Sequence, residues 1–299
     1  MSMRYLSKVG ALLLVCGTVL VFASVAGADA VGPITFESSQ GYVPGTINAQ
    51  PVNSNSLPNG KWMKTGPYDV KVVPVSTYPA AAGYGFGSQT MQISDAVTSG
   101  SFGDQTFSPG LGDEAGESGA SNAGLSGGLR QPHFDASFLI GTAQATLQPG
   151  LHMSVSPDRG DGARMSYLRF EDQADGVHVF FIDAVDKGPV GTVATFRESD
   201  VATLSRDRSH LIQFSIDFKD GAANDTVKIY IDGKLVKTGT TWEDYYRYDP
   251  EQTPQGNQVP TVDKLLFRES GSPNPADATT GGFLIDRVTL DSSGLNLRK

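Results

Sequence analysis

The chain has 299 residues, of which 35 are Gly, 17 are Pro and one is Cys, and its formal charge at pH 7 is −9. Hydrophobic residues make up 39% of it, enough to build a core, so the composition excludes a globally disordered or collagen-like chain. The acidic balance and the lack of an uninterrupted basic cluster argue against nucleic acid as a partner.

The first thirty residues have the pattern of a secretory signal peptide. Arg4 and Lys8 precede an apolar stretch over 9–25, and Ala28-Asp29-Ala30 offers the small residues that a signal peptidase needs. A resident membrane helix is the alternative, but the apolar stretch is short and ends in small residues. We therefore expect residues 1–30 to be removed, leaving a secreted chain with no membrane attachment and no Cys.

Residues 31–299 predict a single all-β domain. Apolar and polar residues alternate with a period of two, and no window of helical length carries an unbroken apolar stripe. The spacing predicts a two-sheet antiparallel β-sandwich of the jelly-roll type. Besides two hairpins, the predicted strands are 34–38, 69–75, 89–94, 136–142, 151–156, 192–197, 262–268 and 282–290.

The strongest local signal is a hairpin around Asp232-Gly233. These residues separate the alternating runs 226–231 and 234–236, and an Asp-Gly pair suits a tight turn in which both residues have positive φ. A second hairpin is predicted within 164–186. Between the early and late strands, the Gly/Ser-rich segment 99–128 predicts one long loop around a single sandwich rather than a linker between domains.

Several of these segments resemble the concanavalin A-like lectin/glucanase superfamily, in particular its secreted bacterial laminin-G-like domains. The resemblance rests on Phe36-Glu37 with Gln40-Gly41-Tyr42, on 233–247, and on the closing strands at 262–268 and 282–286. It implies a jelly roll with one concave face that holds glycans, and it makes structural calcium a reasonable expectation. Because this superfamily includes lectins, hydrolases, lyases and adhesion modules, the resemblance implies no single activity.

No catalytic residues are assigned from the sequence. Glycoside hydrolysis needs two carboxylates flanking one sugar, but Glu171 and Asp172 point to opposite faces of a strand, and Glu198 and Asp200 stand at a predicted strand end. A polysaccharide hydrolase or lyase with an unrecognised site remains an alternative. Arg159-Gly160-Asp161 is interpreted as a polar turn.

A calcium site is a further hypothesis. Asp217, Asp220, Asn224 and Asp225 fall within one short segment and offer the oxygen ligands that Ca²⁺ prefers. Asp and Asn also form turns for reasons of their own, and this simpler interpretation stands beside the metal site.

An aromatic cluster near the C-terminal strands is the predicted ligand site. Trp242, Tyr245, Tyr246 and Arg247 are close in sequence, and Arg268 on a later strand adds a donor. Aromatic faces with a few charged donors are a common way to bind a sugar. The sequence therefore predicts a non-catalytic protein that binds a polysaccharide or glycan. Two alternatives remain: Trp242 with one Tyr is part of the core, or the chain is a surface structural protein without a sugar site.

Overall fold

A computed structural model describes residues 30–52, 60–66, 69–94, 105–120, 124–269 and 280–294. Residues 1–29 of the predicted signal peptide lie outside the described residues. The strands are β1 (Ala30–Ile34), β2 (Gly45–Thr46), β3 (Met63–Thr65), β4 (Val70–Pro74), β5 (Gln89–Ile93), β6 (Gln105–Phe107), β7 (Glu114–Ala115), β8 (Arg130–Gln131), β9 (His133–Thr142), β10 (His152–Asp158), β11 (Leu168–Gln173), β12 (Gly176–Ala184), β13 (Phe196–Leu204), β14 (His210–Asp217), β15 (Thr226–Ile231), β16 (Lys234–Gly239), β17 (Lys264–Glu269) and β18 (Phe283–Asp291).

Two antiparallel sheets form the architecture. In the described residues, sheet I has the order β16-β15-β14-β9-β18-β5-β4-β2, with β1 also paired to β18. Sheet II has the order β13-β12-β11-β10-β17-β6-β3, and β7 and β8 form a small parallel pair. The predicted all-β sandwich with two antiparallel sheets is confirmed.

Aromatic side chains from both sheets meet in the core. The ring of Phe138 in β9 of sheet I lies 6.2 Å from Phe170 in β11 and 5.6 Å from Phe267 in β17, both in sheet II. Trp62 packs 6.0 Å from Phe267 and donates its indole N–H to the hydroxyl of Tyr42 at 3.0 Å. Because each sheet buries one face against the other, the alternation seen in the sequence marks which side chains point inward.

The local turn predicted at Asp232-Gly233 is present. It joins β15 to β16, and its two residues have φ of 51° and 76°. The second predicted hairpin is formed by β11 and β12. Short-range turn chemistry therefore determines the connection at Asp232-Gly233.

Other segments differ from the sequence prediction. The strand expected at 34–38 is β1, which ends at Ile34, and a 3₁₀ turn follows at Ser38–Gln40. The strand expected at 192–197 is β13, which begins only at Phe196. Part of the predicted loop 99–128 forms β6 and β7 rather than loop, because β6 pairs with both β17 and β3 and extends sheet II.

Among the described residues, helical structure is confined to short segments. An α-helix, α1 (Glu243–Tyr248), follows β16, and 3₁₀ turns occur at Val75–Thr77, Pro79–Gly83 and Pro250–Gln255. In the part of the chain that the structure describes, no helix has the length and apolar character needed to cross a membrane.

Candidate functional site

The predicted aromatic residues lie on α1 and immediately before it. Six residues are too few for a helix that is stable by itself, so the position of α1 depends on contacts with the sandwich. One contact comes from Trp242, which donates its indole N–H to the carbonyl oxygen of Ile182 in β12 at 2.9 Å. Tyr246 supplies another, because its side chain is buried against the core.

Four rings, called the aromatic patch below, pack together beside α1: Tyr167, Phe196, Trp242 and Tyr245. The rings of Trp242 and Tyr167 are stacked, with centroids 5.9 Å apart and 23° between their planes. Phe196 lies 4.7 Å from Trp242 and 5.4 Å from Tyr245, and it is 44% exposed. Trp242 therefore supports the patch, while Phe196 and the half-buried Tyr245 form its accessible part.

A cleft of about 460 Å³ opens next to Tyr245. It lies between the turn after β10, the helix α1 and the chain that leads from α1 to β17. Its lining residues are Arg159, Asp161, Gly162, Ala163, Tyr245, Tyr246, Gln252, Gln255, Gln258 and Pro260. The volume falls in the range of roughly 300–1,000 Å³ that is usual for small-ligand sites.

Polar groups are fixed around the rim of the cleft. The guanidinium of Arg159 forms an ion pair with Asp161 at 2.7 Å. The hydroxyl of Tyr245 donates to Glu251 Oε2 at 3.0 Å and accepts a hydrogen bond from Gln252 Nε2 at 2.6 Å. Burial, together with the carboxylate of Glu251, raises the pKa of Tyr245 to about 12, so its hydroxyl is a neutral donor at physiological pH.

A buried carboxylate shapes the turn that carries Arg159 and Asp161. Asp158, the last residue of β10, is fully buried, and its Oδ1 accepts hydrogen bonds from the backbone N–H of Gly160 at 2.6 Å and of Gly162 at 3.1 Å. Burial raises the pKa of Asp158 to about 6. The tripeptide predicted to be a polar turn is thus a turn, and one side of the cleft depends on Asp158.

The two predicted arginines do not join the cleft. Arg247 points away from it and donates to the carbonyl oxygen of Gly221 at 2.8 Å. Arg268 pairs with Ser154 across β17 and β10, whereas Lys264 and Asp158 pair at the cleft end of the same two strands. Four residues of extended strand separate Arg268 from that end, a distance of roughly 13 Å. Of the predicted ligand-binding residues, the structure brings Tyr245 and Tyr246 to the cleft and Trp242 to the adjoining patch.

Three buried carboxylates, called the acidic cluster below, lie close together at the start of α1: Glu117, Asp225 and Glu243. Each offers an oxygen within 4.8 Å of the others. Arg247 contacts two of them, forming an ion pair with Glu117 and lying 3.4 Å from Glu243 Oε2. Burial, and then the charge of Asp225, raises the pKa of Glu243 to about 7, and burial raises the pKa of Asp225 to about 6.

The predicted calcium residues are divided by the structure. Asp225 belongs to the acidic cluster, and the backbone N–H of Asn224 donates to Glu243 Oε1 at 2.8 Å. Asp220 instead accepts a hydrogen bond from the backbone of Ser118 at 2.7 Å. Asp217 lies at the end of β14 and is paired with His133 at 2.7 Å. A site made of all four predicted residues does not form.

Sequence reasoning missed residues that reach these sites from distant segments. Phe196 and Arg159 approach α1 from β13 and from the turn after β10, and Glu117 comes from the segment predicted to be a loop. Glu243 adjoins Trp242 in the sequence, but a single carboxylate beside an aromatic residue gives no signal of a metal site. No short-range pattern connects these residues, because their contacts depend on the order of strands in the sheets.

No protein-family model matches the chain, and no curated protein matches it. Among solved structures, the chain is similar to an endo-β-1,4-glucuronan lyase from the fungus Trichoderma reesei, with a TM-score of 0.39 and 16% identity over 78% of this chain and 90% of that one. It is also similar to a carbohydrate esterase of the Shiga toxin-encoding bacteriophage phi24B, with a TM-score of 0.44 and 14% identity over 84% and 100% of the two chains. For sheep galectin-11 the TM-score is 0.28 and the identity 12%, over 53% of this chain and 90% of galectin.

These likenesses are too remote to assign an activity. The fold and the site together define a two-sheet β-sandwich protein with a polar cleft bordered by aromatic rings.

Proposed function

We propose that the chain binds carbohydrate in the cleft beside Tyr245. The observation that carries the proposal is the combination of an aromatic ring and fixed hydrogen-bonding groups around one opening of about 460 Å³. Sugars have apolar C–H faces and a ring of hydroxyl groups, so a site that recognises them needs both kinds of surface.

The cleft lining supplies groups that match sugar hydroxyls. Three glutamine side chains, Gln252, Gln255 and Gln258, line one wall. Each amide can both donate and accept a hydrogen bond, as a hydroxyl does. The ion pair of Arg159 and Asp161 adds charged donors and acceptors on the opposite side, and the exposed ring of Phe196 extends the apolar surface beyond Tyr245.

The carboxylates near the cleft favour binding over glycoside hydrolysis. Asp161 lines the cleft but is paired with Arg159, and Asp158 is fully buried behind the turn. A hydrolase would need two carboxyl groups facing the sugar from about 5 Å or more apart. The described lining residues do not present such a pair.

A glycan array followed by calorimetry tests the proposal. Tyr245→Ala removes the ring from the cleft and should weaken binding of the best array ligand about tenfold, or ~1.4 kcal/mol. Tyr246→Ala is unsuitable, because Tyr246 is only 7% exposed and its loss would disturb the core. The matched control is Phe180→Ala, which removes a half-buried ring from β12, on the outer face of sheet II.

The two variants distinguish the cleft from the outer sheet face as the place where sugar binds. Loss of affinity in Tyr245→Ala with retention in Phe180→Ala supports the cleft. The reverse result would place the sugar on the sheet face, and an array without any ligand would reject carbohydrate binding altogether.

A second candidate function, cleavage of a uronate polysaccharide by β-elimination, is favoured by His152 on the outer face of sheet II. Its Nδ1 lies 3.1 Å from the carbonyl oxygen of Gly150. A carbonyl only accepts, so Nδ1 carries the proton and Nε2 is left as a base. Burial lowers the pKa of His152, and the hydrogen bond to Gly150 and the charge of Glu171 offset this effect only in part.

In β-elimination the base removes the C5 proton of a uronate and a C4–C5 double bond forms. The C4–O bond breaks with its electron pair on the leaving oxygen, which takes up a proton from water. Arg169 and Arg268 lie in register on either side of Ser154, two residues from His152, so all three share one sheet face with the base. The test is the ultraviolet absorbance of unsaturated product from polyglucuronate or alginate, with His152→Asn as the variant. Absence of product from the wild-type chain would reject this candidate.

Secretion is proposed from residues 1–30 alone. Amino-terminal sequencing of the protein recovered from the medium of an expressing bacterium tests it. A mature amino terminus at Val31 supports the proposal, and retention of the intact chain in the cells contradicts it.

A further inference from the structure

We propose that the acidic cluster is a binding site for one Ca²⁺ ion. Glu117, Asp225 and Glu243 come from three separate segments, and each is at most 5% exposed. Their carboxylate oxygens lie within 4.8 Å of one another. This spacing allows one cation to contact all three, since Ca²⁺–oxygen distances are about 2.3–2.6 Å.

Further oxygen ligands stand next to the cluster. Asp244 is 5% exposed, and its Oδ1 is buried without a hydrogen-bond partner among the described residues. Asp244 directly follows Glu243 in the first turn of α1. The buried Oδ1 of Asn224 likewise has no partner in the described part of the chain. Unpaired buried oxygens are costly unless something binds them.

The charges also call for a cation. Glu117, Asp225 and Glu243 bring three carboxylates together, and Arg247 supplies one positive charge through its contacts with Glu117 and Glu243. Carboxylates at this separation disfavour one another's ionised form. A divalent ion would offset the repulsion that Arg247 leaves, at neutral pH and without protonating the carboxyl groups.

The type of ligand selects the ion. The cluster and its neighbours offer carboxylate and amide oxygens and include neither His nor Cys in the described residues. Oxygen ligands of this kind suit hard cations, and an irregular set drawn from separate segments suits Ca²⁺ better than Mg²⁺, which demands a near-octahedral site.

An ion at this position would hold α1 in place. Glu243 is the first residue of α1, Asp225 is next to the turn 219–224, and Glu117 belongs to the segment after β7. The same helix carries Tyr245 and Tyr246, which line the cleft. We expect Ca²⁺ to strengthen glycan binding by ordering the helix that presents these rings, without contacting the sugar. This expectation rests on the proposed carbohydrate function.

The test uses the full chain after treatment with EDTA. Calorimetric titration with CaCl₂ should show about one equivalent bound. Addition of Tb³⁺ should give luminescence sensitised by the aromatic rings of α1, and Ca²⁺ should displace it. Glu243→Gln and Asp225→Asn should weaken Ca²⁺ binding at least tenfold. The matched control is Asp200→Asn, which removes from β13 a carboxylate that is paired with His178.

Three results would overturn the site: no Ca²⁺ heat and no Ca²⁺-dependent rise in Tm for the wild-type chain, equal loss in Asp200→Asn, or full Ca²⁺ binding in Glu243→Gln. The titration of the wild-type chain decides by itself whether Ca²⁺ binds, so the test does not depend on the folding of the variants. Glycan binding is measured separately with EDTA and with Ca²⁺. Ca²⁺ binding without any glycan binding rejects the carbohydrate function alone, and glycan binding without any Ca²⁺ binding rejects the cation site alone.

Discussion

The indole N–H of Trp242 donates to the main-chain carbonyl of Ile182 at 2.9 Å, and this bond fastens the start of α1 to an inner strand of sheet II. The ring is also stacked on Tyr167 and packed against Phe196. Trp242 is therefore a structural support of the aromatic patch.

Trp242→Phe tests that role. The substitution retains an aromatic ring but leaves the carbonyl of Ile182 without its donor, so we expect the free energy of unfolding to fall by about 1 kcal/mol. Urea denaturation measures it. Glycan affinity of the folded variant should stay within about threefold of wild type, a difference under ~1 kcal/mol. A large loss of affinity with unchanged stability would instead show that the indole contacts the sugar.

Tyr245→Phe separates the ring of Tyr245 from its hydroxyl. The hydroxyl is already engaged with Glu251 and Gln252, so we expect the ring to provide most of the contact with a sugar. The variant should keep its affinity within about threefold of wild type, where Tyr245→Ala loses about tenfold. Calorimetry with the same array ligand measures both. Equal losses in the two variants would show that the hydroxyl, and not the ring, binds the ligand.

How far the sequence predicts this protein depends on the range of the interactions. The Asp232-Gly233 hairpin was predictable because its conformation is set by two adjacent residues. The sandwich was predictable because alternation records which side chains face the core. The cleft was not, since Arg159 and Tyr245 meet only through the order of the strands. The acidic cluster was predictable only in part. Asp225 was proposed as a calcium ligand from the sequence, but Glu117 lies in a Gly-rich segment that gives no sign of a metal site.

Two backbone stretches of that Gly-rich segment lie in close contact at Gly128, so adding a single methyl group there should lower the stability of the fold. A Cβ at Gly128 would lie 1.6 Å from the carbonyl oxygen of Gly112, so Gly128→Ala must move the backbone. We expect it to destabilise the fold by about 1–3 kcal/mol. Gly119→Ala is the control, because a Cβ there meets nothing within 4 Å, and its effect should stay within about 0.5 kcal/mol. Thermal unfolding compares the two, and equal changes in Tm would contradict the contact.

The pH dependence of stability should depend on His133, which lies between two carboxylates. Its Nε2 is 3.0 Å from Asp135 and its Nδ1 is 2.7 Å from Asp217. These carboxylates, Asp135 first, raise the pKa of His133 above its ordinary value of 6.5. The folded state then binds the proton more tightly than the unfolded state. The stabilisation is fully present below about pH 6.5 and is lost as the pH rises through the raised pKa.

Replacing His133 by Gln should therefore remove stability at about pH 6 and matter less at about pH 9, as measured by urea denaturation at both values. His152→Gln is the matched control with the opposite sign, because burial lowers the pKa of His152. Below about pH 6.5 the unfolded chain binds a proton at His152 more readily than the folded chain, and the free energy of unfolding falls. Removal of His152 should therefore make the chain relatively more stable at acid pH. If both variants shift the pH profile in the same direction, the ion pairs of His133 do not control its protonation.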